Sequence, residues 1–177
     1  MVRKAAIITT GNEVFHGRIQ DAFTPVIENT KAEFGAQMMI QEVFDDDDKK
    51  ITDGCLRAIE AGAEIVFCTG GMSVDPDDKT PLAIKNTGAR IVSYGSPVLP
   101  GAMFLLSYYD AGDRLVPICG LPGCAMYNKR TIFDIVLPRL MACDMILADE
   151  LAGLGEGGLC LNCDVCTFPN CGFGKGF

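Results

Sequence analysis

Two groups of residues in this chain have the types and spacing to do chemistry. The first is Thr69-Gly70-Gly71-Met72-Ser73-Val74-Asp75-Pro76-Asp77-Asp78, which follows the apolar run Ile65-Val66-Phe67-Cys68 and precedes Thr80-Pro81. Paired glycines let a backbone turn sharply and approach a ligand closely, and Thr80 and Pro81 read as the N-cap and first residue of a helix. A loop between a strand and a helix of an α/β sheet lies where ligands bind, and its N–H groups suit an anion. Asp77 and Asp78 could hold magnesium against a phosphate, with Asp45 or Asp46 approaching from a neighbouring strand end. The alternative reading makes these acids partners of the helix dipole and nothing more.

The second group is Cys160-x2-Cys163-x2-Cys166-x4-Cys171. Four thiols in so short a span, with no secretion signal at the N-terminus, point to a metal. The two successive x2 spacings resemble an iron-sulfur ligand run, whereas zinc knuckles are usually separated by a longer stretch. Iron-sulfur cluster, zinc and unligated tail stay open on this pattern alone. Leu154 to Leu159, rich in glycine, reads as a hinge, and Gly172 to Gly176 as an unstructured end. The expected division is an α/β domain over 1–148 and a hinge with a metal-binding tail over 149–177.

A second glycine turn, Gly120-Leu121-Pro122-Gly123, also follows an apolar strand. Cys124 comes directly after it at an expected helix N-terminus, which lowers a thiol pKa, although a cysteine there can equally be a small packing residue. His16, Arg18 and Lys79 sit in or beside the front loops and could reach a phosphate; each can also be ordinary surface.

These groups need elements to position them, and the composition bounds what those are. The chain has 177 residues, 49% hydrophobic, with a formal charge of −8 and a single histidine. That is enough for one good core. The charge argues against a nucleic-acid partner or an anionic membrane surface, both of which reward clustered Lys and Arg. No apolar run nears the ~20 residues that cross a bilayer. With no cleavage pattern after Met1-Val2-Arg3-Lys4, a cytoplasmic protein is expected.

Along the chain, period-2 and apolar runs predict strands at Ala5–Thr9, Met38–Phe44, Ile65–Cys68, Arg90–Tyr94 and Leu115–Cys119. Helical spacing predicts helices over Asp21–Phe34, through Ile51, Cys55, Ala58 and Ile59 to Gly62, over Pro81–Thr87, and from Ala125 to Met141 with Pro138 kinking or shortening the last. Met103 to Tyr109 reads equally as strand or short helix. Alternating strands and helices imply a mostly parallel sheet covered on both faces, a three-layer α/β sandwich.

Thr10-Gly11-Asn12-Glu13, Gly17 to Asp21, Asp45-Asp46, Thr69 to Asp78, Pro100-Gly101 and Gly120 to Gly123, in that order, resemble the motifs of the molybdopterin-binding domain family over roughly the first 145 residues. The resemblance implies that fold, a homo-oligomer (trimer or dimer), and a site for molybdopterin, its adenylylated form or the molybdenum cofactor. It also implies ATP or molybdate as co-substrate and a molybdoenzyme or biosynthesis protein as partner. By position it implies cofactor-binding roles for Thr10, Gly11, Glu13, Thr69, Gly70, Gly71, Ser73, Gly120, Pro122, Gly123 and Cys124, with Asp78 and Asp46 as catalytic, magnesium-holding acids. Four positions depart from the family pattern: Asn12, Asp75, Ala102 and Cys124 stand where aspartate, glycine, lysine and asparagine are usual. The missing lysine and added carboxylate leave binding without turnover, or a redox or metal sensor built on the tail, as the alternative functions.

Overall fold

The computed structural model describes residues 3–16 and 35–175. The predicted helix over Asp21–Phe34, and with it Arg18, lies outside the described residues. The elements, in chain order, are β1 (Lys4–Thr10), α1 (Asn12–Phe15), β2 (Gln37–Phe44), α2 (Asp48–Glu60), β3 (Ile65–Thr69), α3 (Thr80–Asn86), β4 (Arg90–Tyr94), β5 (Leu105–Asp110), β6 (Leu115–Leu121), a 3-10 turn (Gly123–Met126), α4 (Ile132–Met141) and α5 (Ala148–Gly153).

The six strands form one sheet in the order β2-β1-β3-β6-β5-β4. β1, β2, β3 and β6 run parallel, and β5 pairs antiparallel with both β6 and β4. Met103–Tyr109, ambiguous by periodicity, therefore resolves as a strand that supplies the antiparallel edge. Parallel strands covered on both faces should be apolar at successive positions, and β1 is: Ala5 and Ile7 join the core on one face, Ala6 and Ile8 the other. The first face is covered by α4 through Ile132, Phe133, Val136, Leu137 and Leu140; the second by α2 and α3 through Ile51, Cys55, Ala58, Ala83 and Ile84. Each fully buried Ile or Leu of this kind stabilises the fold by about 1.5–3 kcal/mol.

Three expectations are corrected. The predicted helix from Ala125 is broken: a four-residue 3-10 turn ends at Met126, and α4 starts anew after the N-cap Thr131. Thr131 accepts from the Phe133 N–H at 3.1 Å and Asp134 accepts from the Thr131 N–H at 2.7 Å, a capping box that fixes the start. Pro138 lies inside α4 without ending it. Thr80 is not the N-cap of α3, which is Lys79, although Pro81 does occupy the first turn.

The third correction concerns the tail. Leu151 and Phe173 are buried in the core beside α4, and Leu154, Phe168, Cys160 and Cys171 pack against it. The Leu99 N–H donates to Gly158 O at 2.7 Å and the Cys160 N–H to Leu99 O at 2.8 Å, joining the tail to the connection before β5. The tail glycines are therefore packing positions and not a loose hinge. A Cβ on Gly157 would lie 2.5 Å from Gly172 O, and one on Gly158 would strike Pro97 O.

Candidate functional site

Register places the glycine turns together. Thr9 pairs with Thr69 across β1 and β3, and Cys68 and Thr69 pair with Gly120 and Leu121 across β3 and β6. Three strands thus end at one rim of the sheet, the carboxyl-terminal rim at which open α/β sheets bind ligands. The turns are locked to each other. The Thr10 and Thr80 hydroxyls are 2.9 Å apart, Thr80 Oγ1 donates to Gly70 O at 2.8 Å, and Thr69 Oγ1 donates to Thr9 Oγ1 at 3.2 Å. Thr80, expected as a cap, instead ties α3 to the first two turns. Gly70 and Gly71 have φ of +81° and +51°, and a Cβ on Gly70 would collide with the Thr10 carbonyl, so both positions require glycine.

Beyond this rim opens a cleft of about 610 Å³. Its walls are Met72, Ser73 and Val74 from the β3–α3 loop, Leu99 to Met103 ahead of β5, and Pro122, Gly123 and Cys124 after β6. Leu159 and Cys160 of the tail close one side, a contribution that no local pattern signals because it depends on the pairing with Leu99. Among the predicted binding residues, Ser73, Pro122, Gly123 and Cys124 line the cleft, whereas Thr10, Thr69, Gly70, Gly71 and Gly120 stand at the strand ends and turns and are not among its walls. A Cβ on Gly120 would stand 2.7 Å from Met72 Sδ, so glycine there lets Met72 form the floor. Gly101 is required as well: its φ is +129° and a Cβ would lie 2.8 Å from Ile132 Cβ. Gly11 precedes α1 and donates its N–H to Phe44 O at 3.2 Å, on the β2 side of β1 and away from the cleft walls. Glu13 falls in α1, with its side chain outside the described part; His16 is exposed beside the Phe15 ring.

Among the described residues, no charged side chain lines the cleft. An anionic group bound there would be held by backbone N–H groups of the turns, which act as fixed partial charges. Ala102, where the resemblance led one to expect lysine, is exposed at the mouth. Cys124 is half-buried, and burial pushes its thiol up, against the lowering expected from a helix N-terminus; the 3-10 turn that follows is too short to build a helix dipole.

Both predicted catalytic acids accept hydrogen bonds from protein donors, Asp78 within its own loop and Asp46 across to the turn after β1. Asp78 Oδ2 accepts from both the Ser73 N–H and Ser73 Oγ, closing the 73–78 loop, and Asp77 and Asp75 complete it with the Asp77 N–H donating to Asp75 Oδ1 at 3.0 Å. Asp46 Oδ2 accepts from the Asn12 N–H at 3.2 Å, and Asp45 Oδ2 accepts from Lys50 Nζ at 2.7 Å while its Oδ1 is buried with no partner among the described residues. Among the described residues, no three His, Cys, Asp or Glu side chains are placed to hold one ion.

The scattered thiols Cys55, Cys68 and Cys119 are buried in the core, as expected for packing residues, with Cys55 and Cys68 Sγ 3.6 Å apart; Cys143 is exposed. The tail thiols are different. Cys160, Cys163, Cys166 and Cys171 all line one small cavity of about 100 Å³, with Lys129 and Arg130 at its edge. The Phe168 N–H, and then the Arg130 guanidinium, hold the Cys166 thiol below its ordinary value. Arg130 also stacks 4.9 Å over the Phe168 ring and pairs with Asp134 at 2.7 Å, and Lys129 Nζ donates to Cys163 O at 3.2 Å. The basic pair was not legible in the sequence as part of the tail site, since it arrives from the turn before α4.

No described helix is long and apolar enough to cross a membrane. Comparison with known proteins gives four findings. The family model described as "Probable molybdopterin binding domain" matches residues 6–142. Molybdopterin molybdenumtransferase of Staphylococcus epidermidis is 27% identical over 139 residues, covering 72% of this chain and 33% of that protein. A putative competence-damage inducible protein of Clostridium kluyveri is 26% identical over 156 residues, covering 76% of this chain and 37% of its own. The chain thus spans about a third of the length of these curated relatives. Among solved structures, the tungsten cofactor synthesizing protein MoaB from Pyrococcus furiosus superposes with a TM-score of 0.66 at 19% identity, over 80% of this chain and 94% of that one, which shows a shared fold. The family match spans every sheet strand after its first residues and the three turns that wall the cleft, so the chain belongs to the probable molybdopterin binding domain family.

Proposed function

We propose that the cleft binds molybdopterin or its adenylylated form, as a step in molybdenum-cofactor biosynthesis. The observation that carries this reading is the convergence on one cleft of three turns far apart in sequence, at Ser73, Gly101 and Gly123. Apolar walls from Val74, Pro122 and Met103 suit a flat fused ring, and the N–H groups of the turns suit the phosphate at its other end. The name of the Staphylococcus epidermidis relative supports a pterin as the ligand. Adenylyl transfer from ATP and insertion of molybdate are the conversions such a site would serve. Asp78 enters through the loop that it closes, holding Ser73 at the cleft wall, and Asp46 holds the turn at Asn12.

The test is equilibrium binding of molybdopterin and of its adenylylated form under anaerobic conditions, followed by assays of conversion with ATP or with molybdate in the presence of magnesium. Saturable binding of one form is the expected result. Conversion by wild type that is lost in Asp78→Asn, with binding retained, would assign the acid to turnover. Binding without either conversion would make the domain a holder of the cofactor, and absence of binding would overturn the proposal.

A further inference from the structure

The geometry points to a [4Fe–4S] cluster site in the tail, held by Cys160, Cys163, Cys166 and Cys171 and adjoining the cleft through Cys160. The first ground is placement. All four cysteines line the same cavity of about 100 Å³, although the last is eleven residues from the first in the sequence. The second ground is the spacing: two successive x2 intervals match an iron-sulfur ligand run, whereas the paired knuckles of a zinc site are usually separated by a longer stretch. A cubane presents four irons at separate corners and takes one thiolate at each, which four cysteines around one cavity can supply.

The surroundings match the charge of such a group. A doubly cationic core with four thiolates leaves a dianion, and Lys129 and Arg130 stand at the cavity edge. Phe168 and the buried Phe173 supply apolar wall on the core side, with the exposed Leu159 and Leu161 at the rim. The backbone is fixed on both sides of the site: the Cys160 N–H is bonded to Leu99 O, and Phe173 is buried in the core. Loading requires no electron transfer if the cluster arrives with small thiolate ligands. Each cysteine Sγ–H gives its proton to a departing thiolate, and its sulfur takes that thiolate's place on iron. Because Leu99 and Cys160 also line the cleft, an occupied tail changes one cleft wall.

The experiment uses the full chain purified without oxygen and offered a thiolate-ligated [4Fe–4S] cluster. Expected are about four irons and four sulfides per chain with visible charge-transfer absorbance, and loss of at least nine-tenths of the iron in Cys163→Ser/Cys166→Ser. Both of those side chains are exposed, so unchanged far-UV circular dichroism serves as the folding control; Cys143→Ser, exposed and outside the tail, keeps the cluster. One zinc per chain that the cluster cannot displace, no iron retained after loading, or full iron retention in the double variant would each overturn the site. These counts make no use of pterin, so their failure and that of the pterin reading are separable.

Discussion

Gly70→Ala isolates the close approach of the two front turns, on which the shape of the cleft rests. The residue has a φ of +81°, and a Cβ there would collide with the Thr10 carbonyl, while Gly88 has a nearly equal φ of +86° with nothing within 4 Å of its Cβ position. The left-handed conformation costs an L-residue about 1–2 kcal/mol at either position. At Gly70 the clash adds an overpacking cost of about 1–3 kcal/mol, because the obstacle is backbone hydrogen-bonded into the sheet and cannot swing away. Gly70→Ala should therefore lose about 3 kcal/mol and Gly88→Ala about 1.5 kcal/mol. At about 2–4 °C per kcal/mol for a chain of this size, the midpoints fall by roughly 6–12 °C and 3–6 °C. Urea unfolding and thermal scans of the two variants side by side give the comparison. Equal losses would mean that backbone conformation alone is at stake and that the turns are not held in contact.

Phe173→Ala should cost about 3 kcal/mol in urea unfolding with a single transition retained, since the side chain is buried against α4; a loss below about 0.5 kcal/mol would mean that the tail is not part of the core. The Leu147 N–H, and then Arg139, hold the Glu150 carboxyl below its ordinary value. A depressed carboxyl contributes stability that is present above its unfolded pKa and lost as pH falls through the folded one, so Glu150→Gln should flatten the decline of unfolding free energy between neutral pH and pH ~3. An unchanged acid limb would count against that contact. Ala102→Lys places a cation at the exposed mouth of the cleft and should tighten a phosphate-bearing pterin by about fivefold, roughly 1 kcal/mol after solvent screening, fading at high salt; equal affinities would show that the phosphate lies elsewhere.

The strands were readable to within two residues because each carries its own pattern: Ala5–Thr9 is Lys4–Thr10, and Leu115–Cys119 extends to Leu121. What a local pattern does not carry was missed. The run before Tyr109 is apolar but for Ser107 and hides its period, and only pairing with β6 and β4 makes it an antiparallel strand. Thr131-x-x-Asp134 is a helix-start signal in the sequence, yet the glycine turn eight residues earlier drew the helix too far forward. Glycines in the tail suggested looseness, whereas Gly157 and Gly158 are small because Gly172 and Pro97 crowd them. The motif residues of the cleft were identifiable individually, but Leu159 and Cys160 enter it through the pairing of the tail with Leu99, and Asp78 proved to be tied to Ser73 in its own loop and Asp46 to Asn12 in the turn after the neighbouring strand β1.

The most direct test of the cleft as the pterin site is Gly123→Val. Gly123 lines the cleft, and an added Cβ meets nothing within 4 Å, so the side chain would project into open space that the ligand needs. Anaerobic calorimetric titration with molybdopterin should show wild-type binding and at least a tenfold weaker variant, about 1.4 kcal/mol, with thermal midpoints within a few degrees of each other. A variant that is as stable and binds molybdopterin as tightly as wild type would contradict the placement of the ligand in this cleft.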